Sequence, residues 1–197
     1  MIREYKTLRS RKLVEQILAG EVGVIPTDTL YGLVGLVLQP ETVERIYRLR
    51  RRDLKKPMII LIGSVKDLNK FGIKTNRWSE KFLKTYWPGA VSVVLPCKLK
   101  QFAYLHRGAG TLAFRLPNHV GLVKLLKQTG PLVAPSANWA GEPQAETVRA
   151  AQKYFGGEVD FYVNTGRLSG RSSTLVRLDE NGRPEVLRQG SVRIKDS

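Results

Sequence analysis

Short apolar runs that stop at proline or at polar residues constrain this chain more than any other feature of its sequence. Val22-Gly23-Val24-Ile25-Pro26, Met58-Ile59-Ile60-Leu61-Ile62 and Gly130-Pro131-Leu132-Val133-Ala134-Pro135 are too short for core helices and too apolar for solvated loops. They read as buried strands, the first ending at its proline because proline cannot donate to a ladder. Stretches of helical period separate them: residues 10–19, with Ser10 as candidate N-cap and Gly20 as the stop, then 40–51, 64–70, 79–86, 121–128 and 147–155. Trp87-Pro88-Gly89 breaks the fourth. Residues 33–38 return to the core, and further strands are expected at 90–95, 111–116, 159–163, 174–178 and 184–187. The last two are joined by the turn Asp179-Glu180-Asn181-Gly182. Strands lie among helices without a regular βαβ rhythm, and no repeat or linker interrupts them. The expectation is one mixed α/β domain over residues 1–197, built on a twisted open sheet.

Charge adds a second constraint. The densest cationic run, Arg48-Leu49-Arg50-Arg51-Arg52-Asp53-Leu54-Lys55-Lys56-Pro57, follows an amphipathic helix whose apolar face carries Val43, Ile46 and Tyr47. Arg50 continues that face, whereas Glu41/Arg45 and Glu44/Arg48 have the i,i+4 spacing of solvent-side ion pairs. Arg50 is therefore predicted to point inward and Arg48 outward. An inward cation is costly to desolvate and needs an anionic partner. Over the whole chain, 33 Lys and Arg against 17 Asp and Glu leave a net charge of +16. That balance favours polyanionic partners such as RNA, or phosphorylated substrates, although a basic protein with no nucleic-acid role has the same signature. The lone cysteine, Cys97, excludes an internal disulfide and a cysteine zinc site. With no signal-peptide core and no run of membrane-spanning length, the expected location is cytoplasmic, with no membrane partner.

The usual nucleotide signatures are missing. There is no G-x-x-x-x-G-K-[ST] and no G-x-G-x-x-G after the first strand, and neither His106 nor His119 has a metal-spaced partner. H-E-x-x-H and G-x-S-x-G are also absent. What remains are polar clusters at the ends of predicted strands: Thr27/Asp28/Thr29/Tyr31, Arg50/Arg52/Lys56, Thr111/Arg115, Ser136/Asn138, Ser172/Ser173/Thr174 and Arg188. Ligands of α/β sheets bind beyond such ends. Hydroxyls, amides and cations with little carboxylate suit the holding of phosphates and an amino-acid carboxylate, by electrostatic rather than acid–base means. Each cluster also has a plainer reading: Ser136 and Asn138 as caps of the next helix, Asp28 as a turn residue, Arg115 as an outward strand residue.

Pro26-Thr27-Asp28-Thr29-Leu30-Tyr31-Gly32-Leu33, the basic segment ending Lys56-Pro57-Met58, Leu112-Ala113-Phe114-Arg115-Leu116-Pro117, Ala134-Pro135-Ser136-Ala137-Asn138 with Gly141, and Leu187-Arg188-Gln189-Gly190 together resemble the YrdC/TsaC family, the threonylcarbamoyl-AMP synthases. The resemblance implies a twisted, largely parallel mixed sheet flanked by helices around a basic concave cavity. It also implies an activity in which L-threonine, bicarbonate and ATP give L-threonylcarbamoyladenylate and pyrophosphate, with Mg²⁺ arriving on the ATP and no protein side chain binding metal. A downstream threonylcarbamoyl-transferase complex then modifies adenosine 37 of ANN-decoding tRNAs to t6A. Carried onto this chain, the family's catalytic K-x-R and S-x-N motifs fall on Arg50, Arg52, Ser136 and Asn138. ATP is expected at Arg52, Lys56, Thr111, Ser136, Gln144 and Arg188, and threonine at Thr29, Tyr31, Arg115, Ala134 and Ser173, with Arg115 forking the substrate carboxylate.

Three positions depart from the family pattern. Arg50 stands where lysine is common, Arg52-Asp53 replaces R-P, and Leu61 replaces a histidine found in some members. Arginine keeps the charge but cannot move a proton. A different class remains open: a non-catalytic protein binding tRNA, ribosomal RNA or other double-stranded RNA through its basic surface, although the chain has no RNP aromatic motif, KH GXXG loop or zinc knuckle. A synthase serving tRNA modification could itself touch tRNA weakly. The related domain of hydrogenase-maturing carbamoyltransferases belongs to much longer proteins with zinc-finger and acylphosphatase modules, which a single cysteine and 197 residues disfavour. The length resembles the short form of the synthase family.

Overall fold

Alternation along each strand decides which of two cores its side chains serve. In the computed structural model, which describes residues 2–51, 53 and 57–195, the elements run β1 (Arg3–Tyr5), α1 (Arg11–Leu18), β2 (Gly23–Pro26), β3 (Tyr31–Leu36), α2 (Pro40–Leu49), β4 (Ile59–Leu61), a 3₁₀ segment (Val65–Phe71), α3 (Arg77–Tyr86) and β5 (Val91–Pro96). A second 3₁₀ turn (Lys100–Phe102) leads into α4 (Ala103–His106), β6 (Thr111–Arg115), α5 (Val120–Thr129), β7 (Leu132–Val133), α6 (Val148–Phe155), β8 (Phe161–Val163), β9 (Thr174–Leu178) and β10 (Pro184–Arg188). The strands form one ten-stranded sheet in the order β1-β8-β2-β3-β7-β4-β6-β5-β9-β10. It is mixed, as expected, but parallel pairing does not dominate. Among the described residues β1·β8, β2·β8, β4·β6 and β5·β9 are parallel, while β2·β3, β3·β7, β4·β7, β5·β6 and β9·β10 are antiparallel. The excess arises where β2 turns directly into β3 and where β7 inserts between β3 and β4.

One face carries the larger core, in which Val91, Val93 and Leu95 of β5 meet Leu112 and Phe114 of β6, Phe71, Phe82 and the α2 residues Val43, Ile46 and Tyr47. The opposite face carries a smaller core in which Leu13 and Ile17 of α1 and Leu122, Leu125 and Leu126 of α5 cover Ile25, Val34, Leu61, Leu132 and Phe161. Period-two alternation therefore assigns Ser92 and Val94 of β5 to the smaller core's side.

Local chemistry explains the differences from the sequence reading. Ser10 precedes α1 but makes no side-chain cap bond. Asn76, whose Oδ1 accepts from Trp78 N and Ser79 N, starts α3 earlier than expected. Ser64 and Asp67 close a reciprocal capping box, but the segment they start is 3₁₀. β1 and α4 had no sequence signal of their own: each is very short, and β1 exists by pairing with β8. The expected Glu41/Arg45 and Glu44/Arg48 pairs give way to tertiary partners, with Arg45 on Asp160 at 2.5 Å and Arg107 on Glu44 at 2.6 Å. Partial desolvation there strengthens attraction beyond what an exposed helix pair gains. Arg48 is exposed and Arg50 is buried, as the helix register requires. Among the described residues, no helix is long and apolar enough to cross a membrane.

Tyr162 is wholly buried on β8 and donates to Gly156 O at 2.9 Å. Burial, reinforced by Glu158, pushes its phenol up to about 12 from an ordinary 10.0. In the unfolded chain the phenol ionises near 10 while the native one stays protonated, so the unfolded state holds fewer protons and stability falls as pH rises from about 10 to about 12. Tyr162→Phe is expected to flatten that alkaline limb while costing roughly 0.5–1.5 kcal/mol at neutral pH for the lost hydrogen bond. Urea unfolding across pH checks both; an unchanged limb counts against Tyr162 as its source.

Candidate active site

The helices of the smaller core do not cover the whole of their face. Beyond Leu61 and Leu132 the same side of the sheet carries Ile59 of β4, Ala113 and Arg115 of β6 and Leu175 of β9, which floor a hollow of about 170 Å³. That is below the roughly 300 Å³ at which drug-sized ligand pockets begin, so the enclosed part suits a small metabolite. Its walls are the β2–β3 turn, the segment after β7, residues 172–173 and the end of β10.

The β2–β3 turn is braced by one hydroxyl. Thr27 Oγ1 accepts from Thr29 N and Leu30 N, both at 3.1 Å, and donates to Leu30 O at 2.7 Å. This holds Thr29 against Arg115, whose Nη1 donates to Thr29 Oγ1 at 2.9 Å. Arg115 Nη2 lies 3.4 Å from Thr27 Oγ1 and 3.2 Å from Asp28 Oδ1. Desolvation is the main cause that lowers the Arg115 pKa, Asp28 opposes it, and Arg188 adds to the lowering. The guanidinium stays charged in any case. Asp28 Oδ2 accepts from Asn118 N at 2.9 Å, tying the turn to the segment before α5. Sequence reasoning named Asp28 but gave it no function; the P-T-D-T spacing was the signal, and only the sheet order supplies its partner.

Arg50 organises the opposite wall. Its Nε donates to Asn138 O at 3.0 Å, and its Nη2 reaches Ser136 Oγ at 3.3 Å and Asn138 Oδ1 at 3.2 Å. Asn138 Nδ2 donates to Trp139 O and Glu142 O at 2.7 and 2.8 Å. Both ends of that amide therefore brace the loop, and Asn138 is not on the wall, whereas Ser136 is. Ala137 N donates to Tyr31 O and Leu33 N to Pro135 O, each at 2.9 Å, pinning the loop to β3. Outside this grip Arg51 stacks on Trp139 at 3.5 Å from the ring centroid, a surface cation–π contact.

The third wall depends on close backbone approach. Ser173 is buried, with its hydroxyl 2.8 Å from that of Ser92, which sequence reasoning did not single out because it sits mid-strand. Arg188 Nη2 donates to Ser173 O at 3.0 Å. A bulge between Val186 and Arg188 sets Arg188 opposite Leu175, on the wall. A Cβ on Gly190 would sit 2.2 Å from Ser172 O, and one on Gly170 would sit 2.1 Å from Thr29 O, so neither contact admits a side chain.

Of the residues expected to hold ligands, Thr29, Tyr31, Arg50, Arg115, Ala134, Ser136, Gln144, Ser173 and Arg188 stand on the wall. The Tyr31 ring is fully buried, with its hydroxyl donating to Gly166 O at 2.7 Å. Thr111 does not line the hollow. It begins β6 on the same face as Ala113 and Arg115, roughly 13 Å from Arg115 at 3.3 Å per residue. Leu61 packs in the smaller core. Arg52 and Lys56 lie outside the described residues. The described wall offers three arginines, hydroxyls and an amide, and no carboxylate.

Helices on both sides of a mixed sheet, with a small, donor-rich hollow on one face, define an α/β protein of the YrdC kind. The Sua5/YciO/YrdC family model, described as "Telomere recombination", matches residues 15–190, and the chain belongs to this family. It is 30% identical to the threonylcarbamoyl-AMP synthase of Pyrococcus abyssi over 90% of this chain and 52% of the relative. It is 29% identical to that of Bacillus subtilis over 87% and 50%, and 30% identical to the putative threonylcarbamoyl-AMP synthase of Mycobacterium tuberculosis over 93% and 86%. The chain thus spans about half the length of the Pyrococcus and Bacillus relatives. The crystal structure of P. abyssi Sua5 complexed with L-threonine superposes with a TM-score of 0.86 at 29% identity, covering 96% of this chain and 57% of that one. Escherichia coli YciO has the same TM-score at 21% identity over 99% and 98%, a likeness of fold.

Proposed function

We propose that this protein is an L-threonylcarbamoyladenylate synthase, a nucleotidyltransferase that makes threonylcarbamoyl-AMP and pyrophosphate from L-threonine, bicarbonate and ATP. The observation that carries the reading is a hollow whose described wall holds Arg50, Arg115 and Arg188 and no carboxylate. Such a site suits reactants that are all anionic or carry a carboxylate. Relatives named threonylcarbamoyl-AMP synthase and a neighbour described with L-threonine support the same chemistry.

In this reading Arg115 holds the threonine carboxylate, with Thr29 and Ser173 beside it, and Tyr31 and Ala134 closing the pocket. The small enclosed volume favours the amino acid there, and the nucleotide extends outward along the β6 face towards Thr111. The threonine amine and bicarbonate form a carbamate as an N–C bond is made and a bicarbonate oxygen leaves as water; a carbamate oxygen then attacks the α-phosphorus of ATP as pyrophosphate leaves. The protein's part is to orient anions and neutralise growing charge. Arg50 and Ser136 stand on the wall for that purpose, Arg188 and Gln144 would hold the nucleotide, and Arg52 and Lys56 join them by resemblance. Asn138 acts by bracing Arg50. Donors of this kind fit phosphate oxygens rather than a cation, so Mg²⁺ is assigned to the triphosphate it enters with, where it shields the phosphate charge.

The product would pass to threonylcarbamoyl-transferase proteins acting on tRNA in the cytoplasm. The purified protein is expected to release pyrophosphate from ATP only when threonine and bicarbonate are both supplied. Threonine-independent release, or none, rejects the proposal. RNA affinity in a protein that binds no ATP would instead favour the RNA-binding alternative, which rests on the net charge of +16.

A further inference from the structure

Among the described residues four buried side-chain atoms lack a hydrogen-bond partner, and two of them belong to the same ion pair. Asp28 Oδ1 and Arg115 Nε are both inaccessible to solvent and unpartnered among the described residues. The Asp28 carboxylate is within 3.2 Å of Arg115 Nη2, yet the pair is not aligned as a hydrogen bond. Native proteins leave few such groups, and each one calls for a reason. Position supplies it. Arg115 lines the hollow and Asp28 does not. Asp28 is anchored from behind by the amide of Asn118, and its neighbours Thr27 and Thr29 offer hydroxyls to the two terminal nitrogens of the guanidinium. Three consecutive residues of one turn therefore hold both terminal nitrogens of the guanidinium and fix its plane beside the hollow.

We propose that Asp28 is a positioning residue for substrate: it sets the plane of the Arg115 guanidinium so that the fork meets the carboxylate of an amino acid in the hollow, without touching that amino acid itself. The inference rests on the functional reading above, in which Arg115 receives threonine. Its consequence is selectivity for the carboxylate rather than general affinity. A fork held in one plane rewards a ligand with two matching oxygens, while a fork free to swing rewards any acceptor.

The test compares binding of L-threonine and L-threoninamide, which lacks the carboxylate charge and the second acceptor oxygen, by titration calorimetry. The full chain is expected to prefer threonine strongly. In Asp28→Asn the ratio of the two dissociation constants is expected to fall at least tenfold, chiefly through weaker threonine binding. Asp28→Glu, which restores charge, should recover part of the ratio. A role in folding alone would weaken both ligands equally, and that result overturns the proposal, as does an unchanged or increased ratio. Asp28→Ser, which keeps an acceptor for Asn118 N, provides the same comparison should the Asn variant not fold. Wild-type protein that binds neither ligand would defeat the proposed function itself, an outcome distinct from failure of the Asp28 inference.

Discussion

Arg115→Met is expected to lower folding stability by about 3–5 kcal/mol, because it leaves Asp28 as an uncompensated buried charge. The side chains of the pair are only 6% and 8% exposed, so water can do little to rescue the stranded carboxylate. The loss should be visible as a lower urea midpoint. Adding Asp28→Asn removes the stranded charge while keeping an acceptor for Asn118 N, so the double variant should be more stable than Arg115→Met alone. Equal stability of the two would show that the charge is not the cause. Threonine-dependent pyrophosphate release behaves differently. It should fall at least about 30-fold in kcat/KM in both variants, since truncating one partner of a buried charge contact costs roughly 2–5 kcal/mol. Recovery of activity in the double variant would remove Arg115 from the substrate site.

Arg50→Lys separates charge from geometry at the other wall. Lysine carries the same charge as a point on a flexible stem, whereas Arg50 uses Nε and Nη2 together to hold Asn138 O, Asn138 Oδ1 and Ser136 Oγ. The substitution is expected to cost roughly 1.5–3 kcal/mol, the range for hydrogen bonds to a charged group. Activity should fall about tenfold, because the 136–138 loop loses its tether and Ser136 its orientation. Arg50→Ala should lose more of both, leaving the Asn138 carbonyl and amide oxygens without these donors. Full activity in Arg50→Lys would mean that charge alone suffices at this position.

Much of this site was legible because periodicity is local. The apolar stripe of α2 puts Arg50 inside and Arg48 outside whatever the rest of the chain does, and the period-two run of β6 sets Thr111, Ala113 and Arg115 on one face. The polar residues after β2 and β7 could be read as strand-end clusters for the same reason. Other features left no local trace. Ser92 lies within an apolar strand, and its role comes from Ser173 packing against it across the β5·β9 pair. The Glu44–Arg107 and Arg45–Asp160 pairs replaced nearer partners because the fold offered partly desolvated ones. Thr111 shares a strand face with Arg115 but not the hollow, since a face is a periodic property and a wall depends on what covers it.

The sequence by itself determined the class of fold, the family and most of the residues that stand around the hollow, through motifs and periods that depend only on near neighbours. The tertiary structure decided the balance of parallel and antiparallel pairing, the bracing role of Asn138 and the partnership of Asp28 with Arg115. Asp28 belongs to the turn after β2 and Arg115 to the end of β6, and no spacing in the chain relates them. The sheet order brings them together, and burial, by removing water, turns their proximity into an ion pair.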